Sequence, residues 1–139
     1  MTHSLLQKIK YAAPDLFAQY PVLFAYLYGS YATGSAHVFS DLDIAVYLEP
    51  ASVDRALELE LDLALAADKM LGHTVETEVR AINNLPLILI GQVVTNGILL
   101  YCRDENTRVE FEVQARKKYF DFLPVIKDYH QACLEEVRR

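Results

Sequence analysis

The chain has 139 residues, of which 53% are hydrophobic and 23% are charged; this is typical of one folded domain and excludes a disordered protein. Its formal net charge of −6 creates no basic field for a nucleic-acid backbone, so we expect no direct nucleic-acid binding. Two cysteines are too few for a disulfide scaffold, and no apolar run is long enough to cross a bilayer, so we expect a cytoplasmic protein without a membrane partner.

The first half of the chain predicts one helix followed by two strands. Residues 4–19 favour a helix in one or two pieces, because Pro14-Asp15 interrupts it. The apolar run Val22–Tyr28 stops at a glycine and predicts a strand buried on both faces. Residues 29–40 have no periodicity and predict a loop with at most one short helical turn, and residues 41–48 predict the second strand.

The second half of the chain alternates helices with short strands. The clearest helix covers residues 53–71 and carries two apolar stripes, so we expect cover on more than one side. The stripes are Leu57, Leu61, Ala64 and Leu65 on one side, and Leu59, Leu63, Ala67 and Met70 on the other. Then come a strand over 74–82, a helix over 86–96, a strand over 98–102, and one or two helices over 105–137 divided at Pro124.

This order predicts a single domain over residues 1–139. Helices and strands that alternate in this way belong to an α/β or α+β fold. We expect a small mixed β-sheet of about four strands flanked by helices.

Asp41 and Asp43 stand at the start of the second predicted strand. Residues two apart in a strand point to the same face, roughly 6.6 Å apart along the chain. Two carboxylates on one partly buried face repel each other and lose hydration, unless a cation or hydrogen-bond donors compensate. Oxygen ligands of this kind suit Mg²⁺ or Mn²⁺ rather than zinc, so the pair predicts a divalent metal site.

Gly29 and Ser30 follow the first predicted strand. Without a Cβ, Gly29 lets the backbone approach a phosphate closely. Ser30 offers a hydroxyl and, at the start of a turn, a backbone N–H. Either half of this pattern alone is common in proteins that have no such site. Both halves together, at the ends of consecutive apolar strands, predict a site for a nucleoside triphosphate and its metal.

The segment GSYATGSAHVFSDLD, residues 29–43, resembles the signature of the minimal nucleotidyltransferase (MNT) family, within the DNA polymerase β-type superfamily. That signature is Gly-Ser, ten residues, then Asp-x-Asp. The resemblance extends from about Val22 to Tyr101 and includes Asn83-Asn84-Leu85-Pro86 and the strand after Gly97, both usual in the stand-alone antitoxin branch. It implies a polymerase β-like nucleotidyltransferase fold.

The resemblance also implies the chemistry of the site. A nucleoside monophosphate would pass from a triphosphate, here ATP, to an acceptor hydroxyl, with Asp41 and Asp43 holding two Mg²⁺ ions (or Mn²⁺) and Gly29 and Ser30 holding the β- and γ-phosphates. The family has a third, catalytic and metal-binding carboxylate on the next strand. Counting back from Pro86 favours Glu78, and counting forward from Gly72 favours Glu76; we favour Glu78.

One departure from the family pattern concerns the phosphate-binding loop. Many relatives carry basic residues there, whereas this chain has Tyr31 and Thr33. Neutralisation of the phosphates would then come from elsewhere, with Arg80 or the Lys117-Lys118 pair as candidates. The departure affects the expected turnover rate more than the expected fold.

Stand-alone domains of this family commonly pair with a HEPN-domain RNase toxin. The resemblance therefore implies an antitoxin that transfers AMP from ATP to a tyrosine of a cognate HEPN toxin. Residues 105–139 would pack on the sheet or on that partner. An enzyme acting on RNA or on a small molecule, and a non-catalytic antitoxin that acts by binding alone, remain as alternatives. The sequence leaves both a homo-oligomer and a hetero-oligomer open.

Overall fold

A computed structural model describes residues 5–37 and 39–138 of the chain. The helices are α1 (Leu5–Phe17), α2 (Ser30–Thr33), α3 (Ala56–Met70), α4 (Leu87–Asn96) and α5 (Glu105–Arg138). The strands are β1 (Val22–Tyr28), β2 (Leu42–Leu48), β3 (Thr77–Ala81) and β4 (Ile98–Cys102). Short 3₁₀ turns over Pro50–Arg55 and Ile82–Asn84 lead into α3 and towards α4.

The four strands form one mixed sheet in the order β3-β2-β1-β4. The central strand β1 runs antiparallel to both of its neighbours, β2 and β4. Strand β2 runs parallel to β3, and the connection between them passes through α3. The predicted fold class, a mixed sheet of about four strands flanked by helices, is confirmed.

Helices cover both faces of this sheet, which is why its strands are apolar on both sides. On one face α1 and α3 pack against alternate residues of β2, namely Leu42, Ile44, Val46 and Leu48. On the other face Ala45 and Tyr47 of the same strand lie among aromatic residues of β1 and residues of α4 and α5. Residue 43 shares this second face, because side chains alternate along a strand.

Several predicted boundaries were wrong by a few residues. Strand β2 begins at Leu42 rather than at Asp41, and β3 covers Thr77–Ala81 rather than residues 74–82. Such shifts are expected at element ends, where pairing with a neighbouring strand decides the boundary. The predicted helix start at residue 4 lies outside the described residues.

The prediction that Pro124 divides the C-terminal helix was also wrong, since α5 continues through it from Glu105 to Arg138. Pro14 likewise lies inside α1 rather than dividing it. Proline removes one helical hydrogen bond, but its fixed φ of about −65° is itself helical, so the chain can continue on both sides.

Within the described residues, no helix combines the length and the hydropathy needed to cross a membrane.

A buried carboxylate fastens α5 to the rest of the fold. Glu112 of α5 accepts a 2.6 Å hydrogen bond from the hydroxyl of Tyr26 in β1 and a 2.8 Å bond from Arg108. Arg116 also reaches Glu112, at 3.3 Å, and donates to the carbonyl of Val94 in α4 at 3.0 Å. Burial raises the pKa of Glu112, but the bonds from Tyr26 and Arg108 outweigh it, so the pKa lies below its ordinary value.

We predict that Glu112→Gln lowers the free energy of unfolding by about 1.5–3 kcal/mol at pH 7, because hydrogen bonds to a charged group are lost. Since the folded-state pKa of Glu112 is lowered, its contribution is complete above the unfolded value and disappears as the pH falls through the folded one. The difference between variant and wild type should therefore shrink in acid. Urea unfolding at neutral and acidic pH measures this.

Glu110→Gln is the matched control, because Glu110 lies exposed on the same helix. It should leave stability nearly unchanged at both pH values. An equal loss for the two variants, or a Glu112→Gln loss that does not vary with pH, would contradict this account of α5.

Candidate active site

The candidate site forms where three strands place polar side chains next to one another. In the sheet register, Asp43 of β2 lies opposite Tyr28 at the end of β1 and opposite Glu78 of β3. Paired residues of neighbouring strands share a face. Tyr28, Asp43 and Glu78 therefore form a row across the sheet, on the face that α4 and α5 cover elsewhere.

Gly29 brings the turn after β1 directly against the carboxylate of Asp43. Its backbone has φ 74° and ψ −155°, a region that essentially only glycine occupies. A Cβ at this position would overlap with Oδ2 of Asp43 and would lie 3.3 Å from its Cγ. The structure thus places the Gly-Ser turn against Asp43, and it gives a second reason, besides phosphate approach, for glycine at position 29.

Ser30 begins the short helix α2, immediately after this turn. The backbone N–H groups of Ala32 and Thr33 donate to the carbonyl of Gly29 at 3.1 and 3.2 Å. The N–H groups of Ser30 and Tyr31 come before these and have no acceptor within the helix. The turn therefore presents backbone donors beside the carboxylates, as phosphate binding requires.

The other two predicted carboxylates, Asp41 and Glu76, lie just outside the strands. Asp41 is exposed and precedes β2. Glu76 precedes β3, and its carbonyl accepts a 2.8 Å hydrogen bond from the N–H of Leu42. Both Asp41 and Glu78 raise the pKa of Asp43, whereas Glu76 is not among the groups that shift it. Glu78 rather than Glu76 is thus the residue paired with Asp43 in the sheet, and its charge acts on the pKa of Asp43.

Negative charge in this row is only partly offset by protein cations. Burial raises the pKa of Asp43 above its ordinary value, the charges of Glu78 and Asp41 raise it further, and Arg80 acts in the opposite direction. Among the salt bridges of residues 5–37 and 39–138, none includes Asp41, Asp43 or Glu78. A bound cation would relieve this repulsion.

The chemistry of the donor set fits Mg²⁺. Carboxylate oxygens from Asp41, Asp43 and Glu78 are the ligands this ion prefers. In the described part of the chain, however, no three histidine, cysteine, aspartate or glutamate side chains are gathered so that they could hold one ion by themselves. Proteins commonly bind Mg²⁺ through one or two carboxylates, with substrate phosphates and water completing the shell. The arrangement is compatible with that mode of binding.

Sequence reasoning had assigned no role to Tyr28. Burial raises the pKa of its hydroxyl to about 12, Asp43 raises it too, and Arg80 opposes the rise. The phenol is therefore neutral at neutral pH, and its oxygen accepts a hydrogen bond from Arg80. Arg80, one of the two candidates for charge neutralisation, thus acts on both Tyr28 and Asp43. Side chains alternate along a strand, so Glu78 and Arg80 of β3 share a face. This alternation is the sequence signal that could have placed Arg80 near the carboxylates.

A cavity of about 430 Å³ opens beside Gly29, on the same face of the sheet. Tyr28 and Gly29 form one side of it, and Gln92, Asn96 and Tyr119 from α4 and α5 contribute to the other. This volume is within the range of small-molecule sites. Neither Lys117 nor Lys118 lines it. The sequence could not indicate this cavity, because its two sides are far apart along the chain.

Comparison with known proteins identifies the family to which this fold belongs. The family model of the polymerase beta nucleotidyltransferase domain matches residues 12–106. This chain therefore belongs to the polymerase beta nucleotidyltransferase family. Comparison with curated protein sequences gave no significant match.

Three solved structures illustrate the shared fold. A chain of a toxin–antitoxin complex with AMP-PNP is 23% identical, with TM-score 0.64, over 94% of this chain and 98% of the other. A chain from the complex of a tri-AMPylated Shewanella oneidensis HEPN toxin with MNT antitoxin is 20% identical, with TM-score 0.61, over 97% and 100%. A proposed minimal nucleotidyltransferase is 29% identical, with TM-score 0.57, over 70% and 98%.

We predict that Gly29→Ala abolishes most nucleotide binding and costs about 1–3 kcal/mol of stability, because the side chain is strained at this φ and ψ and collides with Asp43. Gly34→Ala is the matched control, since Gly34 also has positive φ, 79°, but a Cβ there has no neighbour within 4 Å. Titration with a fluorescent ATP analogue and urea unfolding would compare the two. Equal loss of nucleotide binding in both variants would contradict the role of the Gly29–Asp43 approach.

We also predict that Asp43→Asn raises the thermal midpoint of the metal-free protein. A raised pKa means that ionisation of Asp43 opposes folding above that pKa, so a neutral isostere removes the penalty. Added Mg²⁺ should raise the midpoint of the wild type more than that of the variant, because ligands stabilise only the state that binds them.

Asp62→Asn serves as the control, because Asp62 is an exposed acidic residue of α3. It should change neither the midpoint nor the response to Mg²⁺. If Asp43→Asn lowered the metal-free midpoint, the repulsion described above would not be the dominant effect at this site.

Proposed function

We propose that this chain transfers AMP from ATP to a tyrosine of a cognate HEPN-domain RNase toxin and thereby neutralises that toxin. One observation carries the proposal: the backbone of Gly29 lies directly against the Asp43 carboxylate, which is itself in register with Glu78. A triphosphate bound at the turn would have its reacting phosphate beside these carboxylates. Both belong to a domain of the nucleotidyltransferase family.

Each site residue has a role in this proposal. Gly29 and Ser30 bind the β- and γ-phosphates through backbone donors and the Ser30 hydroxyl. Asp41, Asp43 and Glu78 would hold Mg²⁺ together with the substrate phosphates, and the ion would supply charge stabilisation at the α-phosphate. Glu78 is preferred over Glu76 as the third carboxylate because it is paired with Asp43 in the sheet.

The reaction is a single displacement at phosphorus. The acceptor oxygen forms a bond to the α-phosphorus, and the bond from that phosphorus to the bridging oxygen breaks. Pyrophosphate leaves with the electron pair, and Glu78 takes the proton of the attacking hydroxyl. Arg80, which already acts electrostatically on Asp43, balances part of the negative charge that ATP brings.

Two observations support a protein as the acceptor. The net charge of −6 disfavours an RNA backbone as the bound partner. The solved complexes that share this fold include one with a tri-AMPylated HEPN toxin and one with AMP-PNP. They suggest the same kind of partner and the same nucleotide for this chain.

The C-terminal helix offers additional surface to such a partner. The first half of α5 packs on α4 and β1 through residues such as Phe111, Glu112 and Ala115. Beyond Tyr119 most side chains are exposed, including Val125, Tyr129 and Leu134 at 54–69%. We therefore propose one nucleotidyltransferase domain whose distal helix is available for contact with a partner.

The decisive assay incubates the chain with α-labelled ATP, Mg²⁺ and a HEPN-domain protein from the same genome. We expect label on a toxin tyrosine, located by mass spectrometry, and a decrease of about 100-fold or more in Asp41→Asn/Asp43→Asn, given the usual cost of removing transition-state charge stabilisation. Asp62→Asn is again the control. Label on RNA or a small molecule would indicate a different acceptor, and tight toxin binding without label in any sample would indicate a non-catalytic antitoxin.

A further inference from the structure

Helix α3 presents a row of leucines to solvent. Leu57, Leu61 and Leu65 follow one another at intervals of four residues, and their exposed fractions are 70%, 59% and 68%. The opposite side of the same helix supplies the core, where Leu59 and Leu63 are at most 3% exposed. The exposed row is therefore not needed to hold α3 on the sheet, and a contiguous apolar row of this kind is typical of an interaction surface.

A groove connects this row to the candidate active site. It has a volume of about 420 Å³, with Leu57, Leu61 and Ala64 on the α3 side and β3 on the other. Asp41 and Glu78 border the same groove. Because the side chain of Glu78 alternates with the α3-facing residues of β3, a polypeptide that lies on the leucines would reach the candidate site around the edge of β3, past Asp41.

The edge of β3 is largely blocked against an added strand. In the parallel pairing with β2, the N–H of Leu42 bonds to Glu76, so the backbone groups of Thr77, Val79 and Ala81 point outward. Two of these N–H groups are already taken by α3, since Thr77 donates to Asp68 at 3.0 Å and Ala81 donates to Glu60 at 2.6 Å. With two of its three outward N–H groups bonded, this edge disfavours an added strand and favours an occupant that binds through its side chains.

The charge of the groove indicates what kind of segment it accepts. The residues that line it include four acidic ones, Asp41, Glu60, Glu76 and Glu78, and one basic one, Arg80. A segment with basic side chains would be attracted, whereas two copies of this chain meeting here would oppose like charges. A segment in which basic residues flank an apolar side chain would complement both the acidic residues and the leucines of the groove.

We propose that this groove is the docking site for the acceptor protein, and that it binds a basic segment whose apolar side chain rests on Leu57 and Leu61. The proposal rests on the proposed function, because it assigns the surface that presents the acceptor hydroxyl to the site. Acidic residues of the groove orient the segment, and the leucines supply the apolar contact. Specificity for one acceptor protein then lies in α3, outside the residues that bind the nucleotide.

The test uses the full chain, a HEPN-domain protein from the same genome as acceptor, and the variant Leu57→Ser/Leu61→Ser/Leu65→Ser. These side chains are exposed, so the variant should remain folded. We expect the KM for the acceptor to rise at least about tenfold, with kcat changed less than about threefold, because uniform binding is lost. Affinity for a fluorescent ATP analogue should be unchanged.

Val109→Ser/Val113→Ser is the matched control, since these α5 residues are 48% and 55% exposed and do not line the groove. An unchanged KM in the leucine variant, or an equal rise of KM in the control, overturns the docking site. The proposed function still stands in that case, provided that the wild type labels the acceptor. Conversion of a wild-type dimer into a monomer by the leucine substitutions, measured by sedimentation, also overturns it, because the row would then join two copies.

A benzoylphenylalanine crosslinker at position 61 gives a second readout if the leucine variant fails to fold. We expect it to capture an acceptor peptide that contains lysine or arginine, in contrast to the same crosslinker at position 109. Capture of an acidic peptide, or equal capture at both positions, contradicts the proposal. Absence of label on the acceptor with wild-type enzyme counts instead against the proposed function.

Discussion

The close approach of the Gly29 backbone to the Asp43 carboxylate is the constraint on which the site depends. Because β1 and β2 are antiparallel and Tyr28 lies opposite Asp43, the turn that leaves β1 must pass over the carboxylate at the start of β2. A Cβ at position 29 has no room there. One contact thus restricts the residue type at position 29 and sets the position of the Gly-Ser turn relative to the Asp43 carboxylate.

The pKa values of two carboxylates shift in opposite directions, one inside the candidate site and one outside it. Glu112 is surrounded by Tyr26, Arg108 and Arg116, and its pKa is lowered despite burial. Asp43 has burial and two like charges against a single arginine, and its pKa is raised. The fold itself therefore compensates the charge of Glu112, whereas it compensates the charge of Asp43 only in part. An unsatisfied charge of this kind is characteristic of functional sites.

Helix α3 serves both the fold and, in our proposal, recognition of the acceptor. Its inner leucines support the sheet, and Glu60 and Asp68 take up backbone groups of the edge strand β3. Natural proteins protect such edges because an open one recruits other chains. Here the protection leaves a groove that is largely blocked to an added strand but remains accessible to side chains.

The sequence alone was enough for the type and order of the strands and helices and for expecting the Gly-Ser turn near Asp43, because strand periodicity and glycine chemistry are local properties. It was misleading at Pro124, where helix φ is compatible with proline and α5 continues. It left Glu76 and Glu78 unresolved and gave no sign of the cavity beside Gly29. These depend on the strand order β3-β2-β1-β4, the register of β2 with β3, and the packing of α4 and α5. Such features join residues that are distant along the chain, so only the tertiary structure decided them.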